Sequence, residues 1–108
     1  MSQLNTLCAL AIAPYGQGDH LSQYVIQAVK VIQDSGLPYQ THAMTTEIEG
    51  DLDEVMAVVT KAAKVLAENG IRTEISFRAD IRPGREDAFE QKKASLAREE
   101  KKLADKED

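Results

Sequence analysis

Two ten-residue stretches, "AVKVIQDSGL" (Ala28 to Leu37) and "AAKVLAENGI" (Ala62 to Ile71), repeat one pattern at an offset of 34 residues. Ala, Lys, Val and Gly are identical between them, and the Ile/Leu, Asp/Glu, Ser/Asn and Leu/Ile exchanges conserve size or polarity. Each reads as the end of an amphipathic helix with a glycine where helices commonly stop. Asp19 and Asp53 fall in the same register ahead of the two helices. The echo therefore predicts two similar strand–helix–strand units within the first 84 residues. Right-handed crossovers would place both helices on one face of a single sheet. The fold class that follows is α+β: a ferredoxin-like βαββαβ sandwich with an additional C-terminal helix.

The elements can be placed one by one. Leu4 to Ala13 is an apolar strand closed by Pro14 and the turn "YGQG". Asp19 is the expected N-cap of a helix reaching about Ser35, with Leu21, Tyr24, Val25, Ala28, Val31 and Ile32 on its apolar face. "LPYQTHAM" reads as a second strand, with Pro38 at its start. After a turn near Thr45 comes a short third strand, Thr46 to Glu49. Asp51 and Glu54 make a capping-box spacing for the second helix. Its expected core face is Leu52, Val55, Met56, Val59, Ala62, Ala63 and Leu66, and Asn69-Gly70 ends it.

"IRTEISFRADIRPG" alternates most clearly. Ile75, Phe77, Ala79 and Ile81 face the core, while Glu74, Ser76, Arg78, Asp80 and Arg82 face away. Arg78 and Asp80 share that open face and could pair there, and the face itself could dock on another subunit. From Arg85 a third helical pattern begins, with Phe89, Leu96 and Leu103 a heptad apart. Residues 1–84 form the domain, and residues 85–108 form a charged C-terminal helix or tail.

Composition narrows the function. The formal charge is −5, which disfavours nucleic acid and anionic membranes as partners and suits a cationic ligand. No stretch is long enough to span a membrane. "LCALAIA" is short for a signal sequence, and no Lys or Arg precedes it, so a cytoplasmic protein is expected. The single cysteine, Cys8, excludes an internal disulfide and reads as a buried thiol. His20, His42 and Cys8 lack metal-ligand spacing. "GQGDHL" has Leu21 where a dinucleotide loop needs its third glycine. His42 and Glu47 could form an acid–base pair across a hairpin, but no nucleophile has a positioned partner. Catalysis is therefore not expected, and no cofactor or metal is implied.

The stretch "HAMTTEIEGDLDEVM" crowds Thr45, Thr46, Glu47 and Glu49 into a strand-to-helix junction. Its M-T-T-x-[IV]-E-G pattern, followed by D-E-V-M, resembles the thiamine-binding, MTH1187/YkoF-like family. "YVIQAVKVIQDSGLPYQTHAM" is similar to that family's first helix and second strand, and "ADIR" to its last strand. The resemblance covers about residues 5 to 83. It implies a ferredoxin-like fold, self-assembly into homodimers or homotetramers, and a pocket for thiamine or its hydroxymethylpyrimidine part.

On that resemblance, Thr45 and Thr46 would hydrogen-bond a pyrimidine edge, and Glu47 or Asp80 would neutralise the thiazolium or accept from the amino group. Tyr15 or Tyr39 would stack on a ring. Strict alternation separates Thr45, Glu47 and Glu49 from Thr46 and Ile48, so one regular strand cannot aim all the polar groups at one pocket. Glu49 is assigned to structure at the helix start. The expected function is non-enzymatic binding of a small thiamine-like ligand by an oligomer. The alternative is an oligomeric interaction protein with no small ligand.

Overall fold

The structure, a computed structural model, describes residues 4–16, 21–84 and 88–106. Its elements are β1 (Leu4–Pro14), α1 (Leu21–Asp34), β2 (Tyr39–Thr41), β3 (Thr46–Asp51), α2 (Leu52–Ala67), β4 (Thr73–Pro83) and α3 (Ala88–Lys106). The strands form one sheet in the order β2-β3-β1-β4, with every neighbouring pair antiparallel. The architecture is thus α+β, a four-stranded antiparallel sheet with three helices. The Asp19 cap, the middle of "GQGDHL" (residues 17–20) and the start at Arg85 fall outside the described residues.

The alternation of β1 builds the core. Thr6, Cys8 and Leu10 point to one side and are buried there. Ile48 of β3 lies opposite Cys8 and is fully buried. Ile32 of α1 and Val55, Val58 and Val59 of α2 pack onto this side, with Ile12 and Leu37 at its margin. Both helices therefore cover the same sheet face, as the repeated helix ends predict. Val58 joins the core alongside Val55, Val59, Ala62 and Leu66, although it lies off the expected stripe.

The repeat holds at atomic detail. Gly36 and Gly70 take φ values of +78° and +79°, the left-handed conformation that lets a helix end turn sharply. The Ser35 hydroxyl donates to Ile32 O and accepts from Leu37 N–H, holding the first end. At the second, Ile71 N–H donates to Leu66 O at 3.3 Å.

Three expectations change. The second strand is only Tyr39–Thr41, because the chain turns at His42 and the hairpin closes there. Asp51 sits at the N-cap of α2 with extended backbone, yet its side chain makes no capping bond. One of its oxygens, Oδ1, is buried without a hydrogen-bond partner. The side chain emerges on the open sheet face opposite Asn5, which takes it away from the helix's first N–H groups.

The third change concerns β4. Register with β1 confirms which face Ile75, Phe77, Ala79 and Ile81 occupy: they lie opposite Ile12, Leu10, Cys8 and Thr6. They are nevertheless exposed, Phe77 at 40% and Ile81 at 43%. Alternation sets the side a residue faces, whereas coverage depends on neighbours. Among the described residues β4 pairs only with β1, so its apolar row is flanked from one side.

Candidate functional site

The hairpin between β2 and β3 is closed by His42 N–H donating to Thr45 O at 2.8 Å. Thr45 is a half-buried turn residue. Thr46, the first residue of β3, lies opposite Leu10 of β1 and Thr41 of β2, on the helix side of the sheet. It is 8% exposed and forms the polar wall of a cavity of about 40 Å3. The other walls are Leu10, Ile12, Val25, Ala28, Val29 and Ile32, so the cavity runs beneath α1. Sequence periodicity does not single out Val29, because it lies beside the main apolar stripe of its helix.

Glu47 points the opposite way, onto the open face. It lies between Gln40 of β2 and Ala9 of β1, with Arg78 of β4 on the far side of Ala9. Its Oε2 is 3.3 Å from His42 Nε2, and both side chains are partly exposed. The histidine and glutamate paired from sequence do meet, across the hairpin turn. A carboxylate here can accept from an amine or balance a cation.

Glu49 is buried at 6% exposure and accepts from Asn5 Nδ2 at 3.1 Å. Its backbone N–H donates to Pro38 O, extending the hairpin ladder. Asp80 lies across Leu7 from Glu49 on the open face, and Arg82 Nε approaches its Oδ1 at 3.4 Å. The arginine placed against Asp80 is thus Arg82, two residues on, rather than Arg78. The open face is a floor of Leu7, Ala9 and Ala11, with Glu47 and Glu49 along one margin and Arg78 and Asp80 along the other.

Tyr15 stands apart. It follows the end of β1, where its N–H donates to Arg72 O at 2.8 Å. The Arg72 guanidinium lies 5.1 Å from the Tyr15 ring centroid and covers one face of the ring. At about 3.3 Å per residue, Tyr15 is roughly 20 Å along the strand direction from Ala9, beyond the reach of a small ligand beside Glu47. The structure therefore brings Glu47 and Asp80 onto one face and sends Thr46 to the other. A separate groove of about 310 Å3 between α1 and α2 is lined by Val31, Leu37, Ala57, Val58 and Lys61 among others, and by none of the candidate site residues. Among the described residues no group of three or more His, Cys, Asp and Glu could hold a metal ion. No described helix is long and apolar enough to cross a membrane.

The site is thus a carboxylate, Glu47, standing beside a floor of Leu7, Ala9 and Ala11 on the open face of a small α+β domain. The comparisons give the class a family. The profile described as thiamine-binding protein matches residues 8–97, and the chain belongs to that family. UPF0045 protein Mb1933 of Mycobacterium bovis is 43% identical over 96 residues, covering 88% of this chain and 94% of the relative. The crystal structure of hypothetical protein MJ1052 of Methanocaldococcus jannaschii matches with a TM-score of 0.78 at 30% identity, over 86% of this chain and 96% of that one. A Thermotoga maritima protein proposed to act in thiamine biosynthesis or salvage shares the fold, with a TM-score of 0.64 at 21% identity over 70% of this chain and 82% of that one.

Proposed function

We propose that this chain binds a small thiamine-like ligand, thiamine or its hydroxymethylpyrimidine part, without chemical conversion. The observation that carries the reading is Glu47: a carboxylate on the open face, beside the small residue Ala9, in a thiamine-binding family member. A flat aminopyrimidine can lie on the Leu7, Ala9 and Ala11 floor, with its amino group donating to Glu47. Asp80 faces the permanently charged Arg82 guanidinium whereas Glu47 faces the His42 imidazole, so Glu47 is the main counter-charge for a cation. Thr45 stands close to Glu47 at the hairpin turn and supplies a hydroxyl at the edge of the site. Thr46 faces the other way, and its cavity of about 40 Å3 is large enough for water and too small for a ring.

Strand order and the doubled βαβ units support a ferredoxin-like sandwich with an added C-terminal helix. Self-association into a dimer or tetramer belongs to the same reading. The exposed apolar row of β4 favours a second reading, an assembly protein with no small ligand.

Calorimetric titration with thiamine, thiamine diphosphate and hydroxymethylpyrimidine tests the ligand. The expected result is saturable binding that weakens at least tenfold in Glu47→Gln, about 1.4 kcal/mol, and persists in Thr46→Val. Loss of binding in Thr46→Val alone would move the site to the helix side. Absence of heat with all three ligands at several temperatures would leave the assembly reading.

A further inference from the structure

The Glu47 carboxylate has a neighbour whose charge can change. Strand pairing sets Gln40 of β2 opposite Glu47 of β3. His42 lies two residues past Gln40, so alternation brings it to the same open face, diagonal to Glu47. The turn fixes its backbone there, with His42 N–H donating to Thr45 O at 2.8 Å. Its Nε2 then stands 3.3 Å from Glu47 Oε2. The His42 side chain is 51% exposed, so protons reach it directly from water.

The other groups around it do not share this property. Imidazole is the side chain whose charge ordinarily changes between about pH 5 and 8, and His42 is the only histidine among the described residues. Within the turn, Ala43, Met44 and Thr45 carry no charge, and on β2 the flanking group is the neutral Gln40. On β3, Glu49 is buried and accepts from Asn5. On β1 the residues nearest Glu47 on this face are Ala9 and Ala11. Arg78 of β4 lies beyond Ala9, two strands from Glu47, and Asp80 faces Arg82. Glu47 is therefore the charge that His42 meets directly.

We propose that His42 gates Glu47 and makes the site choose between ligands by their charge. The inference rests on the reading of Glu47 as the counter-charge for the ligand. A neutral imidazole leaves the carboxylate its full charge, and the thiazolium of thiamine can be balanced beside it. An imidazolium balances the same carboxylate from 3.3 Å and repels a second cation. Hydroxymethylpyrimidine carries no permanent charge. Its amino group can donate to the other oxygen, Oε1, so it loses less when His42 is charged. Proton and ligand are then linked. If the proton on His42 weakens thiamine, thiamine weakens that proton by the same factor.

The sign follows from this competition. Affinity for thiamine should be highest with His42 neutral and should fall as the solution is acidified. Both side chains are partly exposed, so solvent and salt screen the effect, and a loss of about threefold to tenfold is expected rather than abolition.

Calorimetric titration of the whole chain with thiamine and with hydroxymethylpyrimidine, at about pH 6 and about pH 8, tests the gate. The wild-type preference for thiamine over hydroxymethylpyrimidine should shrink about threefold or more on acidification. His42→Gln keeps an N–H donor but cannot take up a proton, and its preference should not follow the wild type. Any titration of the ligands themselves is common to both proteins, so the difference between the two belongs to His42. His42→Lys fixes a positive charge at the turn and should bind thiamine about threefold or more weakly than His42→Gln at both pH values. Repeating the titrations in two buffers of different ionisation enthalpy counts protons. Thiamine should release more protons from the wild type than from His42→Gln. A merely structural role for His42 would weaken both ligands alike in both variants, and far-ultraviolet dichroism with melting establishes that each is folded.

Wild type and His42→Gln that bind thiamine with the same pH dependence overturn the gate and leave the ligand reading standing. So does a His42→Lys that binds thiamine as tightly as His42→Gln. A wild type that binds neither compound at either pH defeats the ligand reading and the gate together.

Discussion

At the scale of single residues, "TTEIEG" is a strand in which each position has its own surroundings. Thr46 and Ile48 face the helices, whereas Glu47 and Glu49 face the open side. Gly50 closes the run because the two layers meet closely there. A Cβ at Gly50 would stand 3.1 and 3.2 Å from the two terminal carbons of Leu37 and 3.4 Å from Val55. Gly50→Ala should therefore destabilise by about 1–3 kcal/mol through overpacking, read as a lower denaturant midpoint. Leu37→Ala in the same background should recover part of the Gly50→Ala penalty, since the space it frees is the space the new methyl needs.

Cys8 allows a prediction in pH. Burial pushes its thiol above the ordinary value of 9.0, because the thiolate loses solvation inside the sheet sandwich. The unfolded chain then ionises first. Stability from this group is constant below about pH 9 and falls as pH rises from there through the folded value. The fall should appear in urea midpoints of the wild type as pH is raised above about 9, and should be smaller in Cys8→Ala, which has no thiol to ionise. Alkylation at about pH 8 should be slow in the native state and fast in denaturant, since the thiolate is the nucleophile. Equal rates in the two states would contradict the burial.

At the scale of elements, the two helix ends are the most legible feature of the sequence, and they carry a matched pair of predictions. Gly36 and Gly70 hold the same positive φ, and an alanine at either would meet nothing within 4 Å. The cost of Gly36→Ala or Gly70→Ala is therefore backbone strain alone, about 1–2 kcal/mol each, and the two should add within error because the sites share no partner. Denaturant midpoints of the single and double variants check both points. Helix and strand faces are readable because periodicity reports direction: Cys8, Leu10, Val55, Val59 and Leu66 point inward as the spacing requires.

Other features are hidden from the sequence for physical reasons. β2 is short because the hairpin closes at His42, a decision made by tertiary pairing with β3. Asp51 has the spacing of a cap, but its backbone position sends the carboxylate to the open face, and spacing does not encode that direction. The β4 row is apolar yet exposed, since alternation cannot say what covers a face. At the candidate site, Glu47 beside His42 is legible from hairpin spacing. The Arg72 cover on Tyr15 is not, because it depends on two chain segments that meet only in the fold.

At the scale of the whole molecule, the division at Gly84 becomes testable. The buried core draws on β1, β3, α1 and α2, and the described side chains of α3 from Lys93 to Ala104 are all exposed. Leu96 and Leu103 are among them, so their heptad spacing does not reflect packing into this core. α3 meets the body at β1, and the strand most engaged by β1 is β4, which ends at Pro83. A chain ending at Gly84 retains every residue of the core cluster and the full β1–β4 ladder. Its melting midpoint should fall by less than about 8 °C, the shift that one kcal/mol produces in a domain of this size. A larger fall would place α3 within the cooperative unit.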